Sequence, residues 1–143
     1  MHIELVKAQN KDIVFLVKLR KLTMVKHLEK AGLHLSDDQH LSRVKFHFNE
    51  AYIVKQLDER IGLLKYIETS NAIEILQLQI LPSYQRKGIG NFLLNHMIQL
   101  SKSLHKSLVL KVLKENRARY LYERNGFKTI GEDRYEFYME LKK

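Results

Sequence analysis

The chemistry of this chain concentrates in one short segment, Gln85-Arg86-Lys87-Gly88-Ile89-Gly90. It follows an apolar run closed by Pro82 and opens a stretch with Ile89, Leu93, Met97, Leu100 and Leu104 at helical spacing. A loop that starts a helix aims several unpartnered amides, and the positive end of the helix dipole, at one spot. That spot favours phosphate. Glycines at 88 and 90 let a phosphate approach the backbone, and Arg86 and Lys87 add charge. The dinucleotide fingerprint fails here. Leu93 stands where its third glycine belongs, and the ribose-binding acid about 20 residues later is missing. A Walker loop fails too, for want of Gly-Lys-Ser/Thr. The alternative is that both glycines serve only a tight turn and close helix packing.

The charge distribution fits an anionic ligand. Of the formal +9, residues 1–80 carry +2 and residues 81–143 carry +7, with no acid between Gly88 and Lys114. Nucleic acid, a membrane surface or a phosphorylated small molecule would all suit this balance. The absence of a helix-turn-helix or stacked-aromatic signature counts against nucleic acid. No apolar run is long enough for a membrane span, and Met1-His2-Ile3-Glu4 lacks the order of a signal peptide, so the cytoplasm is expected. With no cysteine there is no disulfide, thiolate metal site or cysteine acyl-enzyme. His40 and His47 share a helical face without a third ligand, so no metal site is expected.

The elements that must position the loop follow from periodicity. Residues 2–8 alternate as a strand. Asn10 is placed to cap a helix reaching Lys30, with Ile13, Val17, Met24 and Leu28 on its inner stripe and Gly32 as its stop. Ser36-Asp37-Asp38-Gln39 forms a capping box before a helix with Leu41, Val44 and Phe48 on one side. Strands at 51–57, 61–68 and 72–81 form an antiparallel meander that Pro82 ends. After the long helix come a buried strand at 107–113, a helix at 117–125 closed by Gly126, and a terminal strand through Tyr135, Phe137, Met139 and Leu141. The order βααβββαβαββ describes one α/β domain over residues 1–143, with a mixed sheet.

Gln85-Arg86-Lys87-Gly88-Ile89-Gly90, preceded by Ile80-Leu81-Pro82, resembles the acyl-CoA pyrophosphate loop of the GNAT superfamily of N-acyltransferases, Q/R-x-x-G-x-G/A. Ala118-Arg119-Tyr120-Leu121-Tyr122-Glu123-Arg124-Asn125-Gly126-Phe127 is similar to that family's A-x-x-L-Y-E-x-x-G-F. The two motifs stand in the family's order, within its sequence of elements. The resemblance implies acetyl-CoA as cofactor, its pyrophosphate on the amides from Arg86 through Lys87, Gly88, Ile89 and Gly90 to Asn91. Its pantetheine arm would pair with the backbone at Ile80 and Leu81, where strand 72–81 splays from strand 107–113. One departure stands out: Asn116 lies two residues before Ala118, and Glu115 holds the family's usual asparagine position. Asn116 is therefore a cap that can also reach the cofactor.

Under this resemblance, a primary amine of a small molecule or peptide attacks the thioester in a ternary complex. Tyr122 matches the tyrosine that protonates the leaving sulfur. The alternative reading for Tyr122 is a core side chain, since it shares a helix face with Ala118 and Leu121. Glu74, fourteen residues before Gly88, is a candidate base; a water relay stands beside it, and Glu68 is a further candidate. Glu74 has the parity of Leu76 and Leu78 and faces their side unless a bulge intervenes. Arg20 lies on the inner stripe of the first helix, where it would need an anion such as a substrate carboxylate, unless a small rotation leaves it in water. His47 and Tyr66 are further acceptor-side candidates. A non-catalytic acyl-CoA sensor of the same fold is the competing function, and a homodimer is left open.

Overall fold

In the computed structural model, which describes residues 1–143, the expected order of elements is realised. The strands are β1 (Ile3–Lys7), β2 (Ala51–Gln56), β3 (Glu59–Glu68), β4 (Ala72–Ile80), β5 (Ser107–Leu113), β6 (Lys128–Glu132) and β7 (Glu136–Leu141). The helices are α1 (Ile13–Lys30), α2 (Asp37–Lys45), α3 (Ile89–Ser103) and α4 (Arg119–Arg124). Ser36 and Gln39 form the reciprocal box at α2: the Gln39 amide donates to Ser36 Oγ at 3.2 Å, and the Ser36 amide to Gln39 Oε1 at 2.7 Å. Two local readings are corrected. Asn10 is not a cap; the box at that helix entrance is Gln9 with Asp12, whose carboxylate takes the Gln9 amide at 2.8 Å. Asp12 also accepts from Arg60 of β3 at 3.1 Å, which ties the helix entrance to the sheet. At the other helix, α3 stops at Ser103 and Leu104 is exposed rather than continuing the stripe.

The seven strands form one sheet in the order β1-β2-β3-β4-β5-β7-β6. All neighbours are antiparallel except β4 and β5, which are parallel and joined by the crossover helix α3. That exception creates the site. β4 pairs with β5 only from Ala72–Ser107 to Ile75–Leu110. Beyond, β4 stays bonded to β3 as far as Ile80, and β5 to β7 as far as Leu113. The two strands are pulled apart by their outer neighbours, and a wedge opens toward the end of β4.

A bulge refines the wedge. Lys65 faces Gln77 and Tyr66 faces Ile75, so Leu76 is an extra residue in β4. Ile73 and Ile75 before it, and Leu78 and Ile80 after it, all belong to the core on the α3 side. Glu74 therefore points to the opposite face from Leu78, because the bulge reverses the parity read from the sequence.

Two cores sandwich the sheet. The larger unites Ile89, Leu93, Leu94, Met97 and Ile98 of α3 with the strands and Tyr122 of α4. The smaller holds Leu16 and Leu19 of α1 and Val44 of α2 against Ala51, Ile53 and Leu63. Gly62 lets β3 lie close beside the end of β4: a Cβ there would sit 2.4 Å from the Gln79 carbonyl oxygen and 2.8 Å from Ile80 Cδ1. Since backbone cannot yield as a side-chain tip can, Gly62→Ala should cost about 1–3 kcal/mol. A urea unfolding curve with unchanged slope and a lowered midpoint would verify it.

Candidate active site

The loop at the end of β4 is a nest of free amides. Pro82–Tyr84 makes one 3-10 turn, and the Gln85 side chain turns back to donate to the Ile80 carbonyl at 2.8 Å. Arg86 and Gly88 are left-handed, with φ of 62° and 84°, and Gly88 begins α3. The first amide to bond back is that of Phe92, to Gly88 O at 2.9 Å. The amides of residues 86–91 have no backbone acceptor, and left-handed turns direct successive N–H groups to one side. At the helix entrance this is an anion cradle. Lys87 Nζ lies 5.6 Å from the centre of the Tyr84 ring, whose hydroxyl donates to Glu59 at 3.1 Å.

The wedge runs from this cradle to the point where β4 and β5 join. The Leu81 amide donates to Ile61 O at 2.8 Å and so points toward β3, away from the wedge. By strand alternation the amides of Leu78 and Ile80 face the open side instead. Of the expected edge residues Ile80 and Leu81, only Ile80 turns its amide to the open side, alongside Leu78, and the Ile80 carbonyl is occupied by Gln85.

Across the seam, α4 carries Tyr122. Asn116 starts this helix by accepting the Ala118 amide at 2.9 Å. Tyr122 lies in the core on the α3 side, 5.7 Å from the Phe127 ring. Its hydroxyl bonds to no protein group, yet it is not among the three sealed, unpartnered side-chain atoms, so it keeps contact with accessible space. Burial pushes its pKa up to about 12. Asn125, which the sequence reading passed over, clamps the end of α4 to the start of α3. Its Nδ2 donates to Asn91 Oδ1 at 3.1 Å and to Leu121 O at 2.8 Å. Its place just before Gly126 was the only sequence signal.

On the other face, at the closed end of the wedge, lies a cavity of about 390 Å³. Its walls are Arg43 of α2, Phe46 and His47 just after it, Ile67 of β3, Glu74–Gln77 around the bulge, Lys111 of β5 and Glu136 of β7. Glu74 and His47 thus meet here. Glu136, on the terminal strand, is a residue to which the sequence pattern assigns no role. Burial, then Asp133 and Glu74, raise its pKa, against the pull of Lys111 and Arg43. None of Glu74, Glu136, Arg43 and Lys111 is in an ion pair with another residue.

Three candidates do not reach the cavity. Glu68 is held by Lys106 at 2.5 Å, at the end of β3 far from the loop. Tyr66 stacks on Tyr52 with ring centres 5.8 Å apart and packs against the core of the α3 side, because its parity is opposite to that of Ile67. Arg20 does point inward, at 6% exposure, but its partner is a neutral base: Nε donates to His40 Nδ1 at 3.2 Å. Burial and neighbouring Arg43 pull Arg20 down to about 10.

The bond from Arg20 needs His40 unprotonated. Burial, then Arg20 and Lys21, hold the His40 pKa below its ordinary 6.5, and burial and Lys30 do the same to His27. The unfolded chain takes up these protons near pH 6.5, while the fold resists until lower pH. Stability is thus full above that value and falls as the pH drops below it. Urea midpoints should decline between about pH 7.5 and 5.5, and less steeply in His40→Asn, which keeps an acceptor for Arg20.

Residues 48–129 match the family model of the GNAT acetyltransferase domain. The chain belongs to the GNAT acetyltransferase family. It is 32% identical over 85 residues to the [ribosomal protein bS18]-alanine N-acetyltransferase of Haemophilus influenzae, a stretch that is 57% of this chain. The match spans only 58% of that relative's length. Among solved structures, the PaiA N-acetyltransferase of Thermoplasma acidophilum, in complex with coenzyme A, superposes with a TM-score of 0.75 at 23% identity, covering 100% of both chains. The ribosomal-protein-S18-alanine N-acetyltransferase of Escherichia coli gives 0.72 at 18% identity, over 97% of this chain and 92% of that one. These likenesses establish the GNAT fold, and acetyl-CoA is the cosubstrate of this family. The free amides and missing Cβ at Gly88 fit a pyrophosphate, and the open edge of β4 fits an amide-bearing arm. No helix of this GNAT protein is long and apolar enough to cross a membrane.

Proposed function

We propose that this protein transfers an acetyl group from acetyl-CoA to a primary amine of a small molecule or peptide, by direct attack in a ternary complex. What supports the reading is one wedge with an anion cradle at its open end and a charged cavity at its closed end. Acetyl-CoA supplies the activated thioester. The amides of residues 86–91 hold its pyrophosphate, and the β4 edge at Leu78 and Ile80 aligns the arm. The amine enters from the cavity between His47 and Glu74. Glu74, directly or through a water, takes the proton that the amine loses as its nitrogen bonds to the carbonyl carbon. As the C–S bond breaks, Tyr122 donates its hydroxyl hydrogen bond to the departing sulfur. Proximity supplies much of the acceleration. The cytoplasm is the proposed place of reaction.

The test has two stages. Acetyl-CoA should raise the melting temperature, and desulfo analogues lacking only the reactive sulfur should do so comparably. A panel of an alanine-starting peptide, a polyamine and free amino acids should then release thiol with at least one member. No stabilisation by any acyl-CoA defeats the proposal. Stabilisation without thiol release on any amine would favour an acyl-CoA sensor.

A further inference from the structure

Lys65 is the most deeply buried charge in the chain, at 1% exposure, and the mechanism above makes no use of it. It stands on β3 opposite Ala51 and Gln77, neither of which is charged. It forms no ion pair. Its Nζ donates to three backbone carbonyls: Arg43 at 3.3 Å, Val44 at 3.1 Å and Phe46. These are the carbonyls that the end of α2 leaves without partners. No glycine cap follows: Phe46 is extended and His47 is left-handed, with φ of 51°. A single ammonium thus does the work of a C-terminal cap, with the sign the helix dipole favours.

The segment it holds is also the wall of the cavity. Arg43, Phe46 and His47 line it, and Lys65 binds the backbone of the first and second of these directly. Phe46 is half exposed, so little apolar burial fixes this wall from outside. We infer that Lys65 is a positioning residue for the acceptor amine, fixing the Arg43–His47 wall across from Glu74 through three carbonyl bonds. The inference rests on reading the cavity as the amine's entrance. Lys65 itself touches neither reactant.

Protonation tunes this device. Burial and Arg20 draw the Lys65 pKa down to about 8. The charged groups nearest it are Arg20 of α1 and Arg43 of α2, with neutral His40 bonded to Arg20. A neutral amine keeps two donors for three carbonyls, so the wall loosens as the pH rises past that value.

Steady-state kinetics of Lys65→Met, with the most active amine of the panel, test this. Methionine fills the space and cannot donate. The KM for the amine should rise about tenfold, with kcat and the KM for acetyl-CoA nearly unchanged. The gap between variant and unaltered protein should narrow as pH rises from about 7 to 9.5, as the native ammonium is itself lost. Should Lys65→Met not fold, Lys65→Gln, which retains an amide donor, should show a smaller shift of the same kind. Equal amine KM in variant and parent overturns the inference, as does a joint change in both KM values with no pH dependence. Absence of thiol release by the unaltered protein would instead bring down the reading of the cavity, and this inference with it.

Discussion

Tyr122→Phe should lower kcat roughly 10²- to 10³-fold, the usual loss on removing one donor aimed at developing charge. Acetyl-CoA affinity and stability should hardly move. The substitution deletes one oxygen that bonds to no protein group, so it strands no partner in the core. The ring, its packing on Phe127 and the helix face shared with Leu121 all remain. A large rate loss with an intact melting temperature is therefore diagnostic. A side chain that only filled the core would leave the rate alone.

The shifted pKa refines what this hydroxyl does. At about 12 it lies roughly three units above an ordinary thiol. Complete proton transfer to a free thiolate would be uphill by roughly 4 kcal/mol, so the hydroxyl acts first as a hydrogen-bond donor to the sulfur as charge gathers there. It stays protonated throughout the usable pH range. The deficit of Tyr122→Phe should accordingly be constant from about pH 6 to 10, and a deficit that grows or shrinks would assign the titrating proton to Tyr122 after all.

Much of this arrangement was legible from local pattern. Strand alternation, the Ser36–Gln39 box and Pro82 each state a backbone requirement that neighbours in sequence satisfy, and each element formed where they placed it. The cradle was legible for the same reason, since Gly88 answers to its own φ. What escaped were the consequences of pairing. The bulge at Leu76 shifts the register between β3 and β4 by one residue, and that shift puts Glu74 on the face opposite Leu78. Tyr66 was misplaced because one position of parity separates it from Ile67. Glu136 is brought to the cavity, and Lys65 to the carbonyls behind its wall, by contacts with segments distant in sequence, so nothing adjacent to either announces it. For Arg20 the stripe leaves inward packing and a turn into water both open, and the fold takes the first. Its partner, twenty residues away on α2, was a histidine rather than a ligand's carboxylate.

The two glycines of the cradle should part company under substitution. Gly88 has φ of 84°, where a branched side chain is strained wherever space permits, and its amide lies in the middle of the nest. Gly88→Val should therefore turn that amide away and unwind the first turn of α3, with an acetyl-CoA Kd raised at least about 100-fold, equivalent to the loss of two charge-assisted hydrogen bonds. Gly90 is helical, and a Cβ there would meet only Leu121 Cδ2, at an ordinary 3.6 Å. Gly90→Ala should bind acetyl-CoA within about threefold of the parent and gain slightly in stability from helix propensity. Isothermal titration of both variants reads the contrast directly. Equal loss in the two would mean that the ligand needs both positions bare and lies lower on the helix. Equal retention would mean that the phosphates rest elsewhere, and the nearest remaining cations, Arg86 and Lys87, would then have to be tested as the anchor.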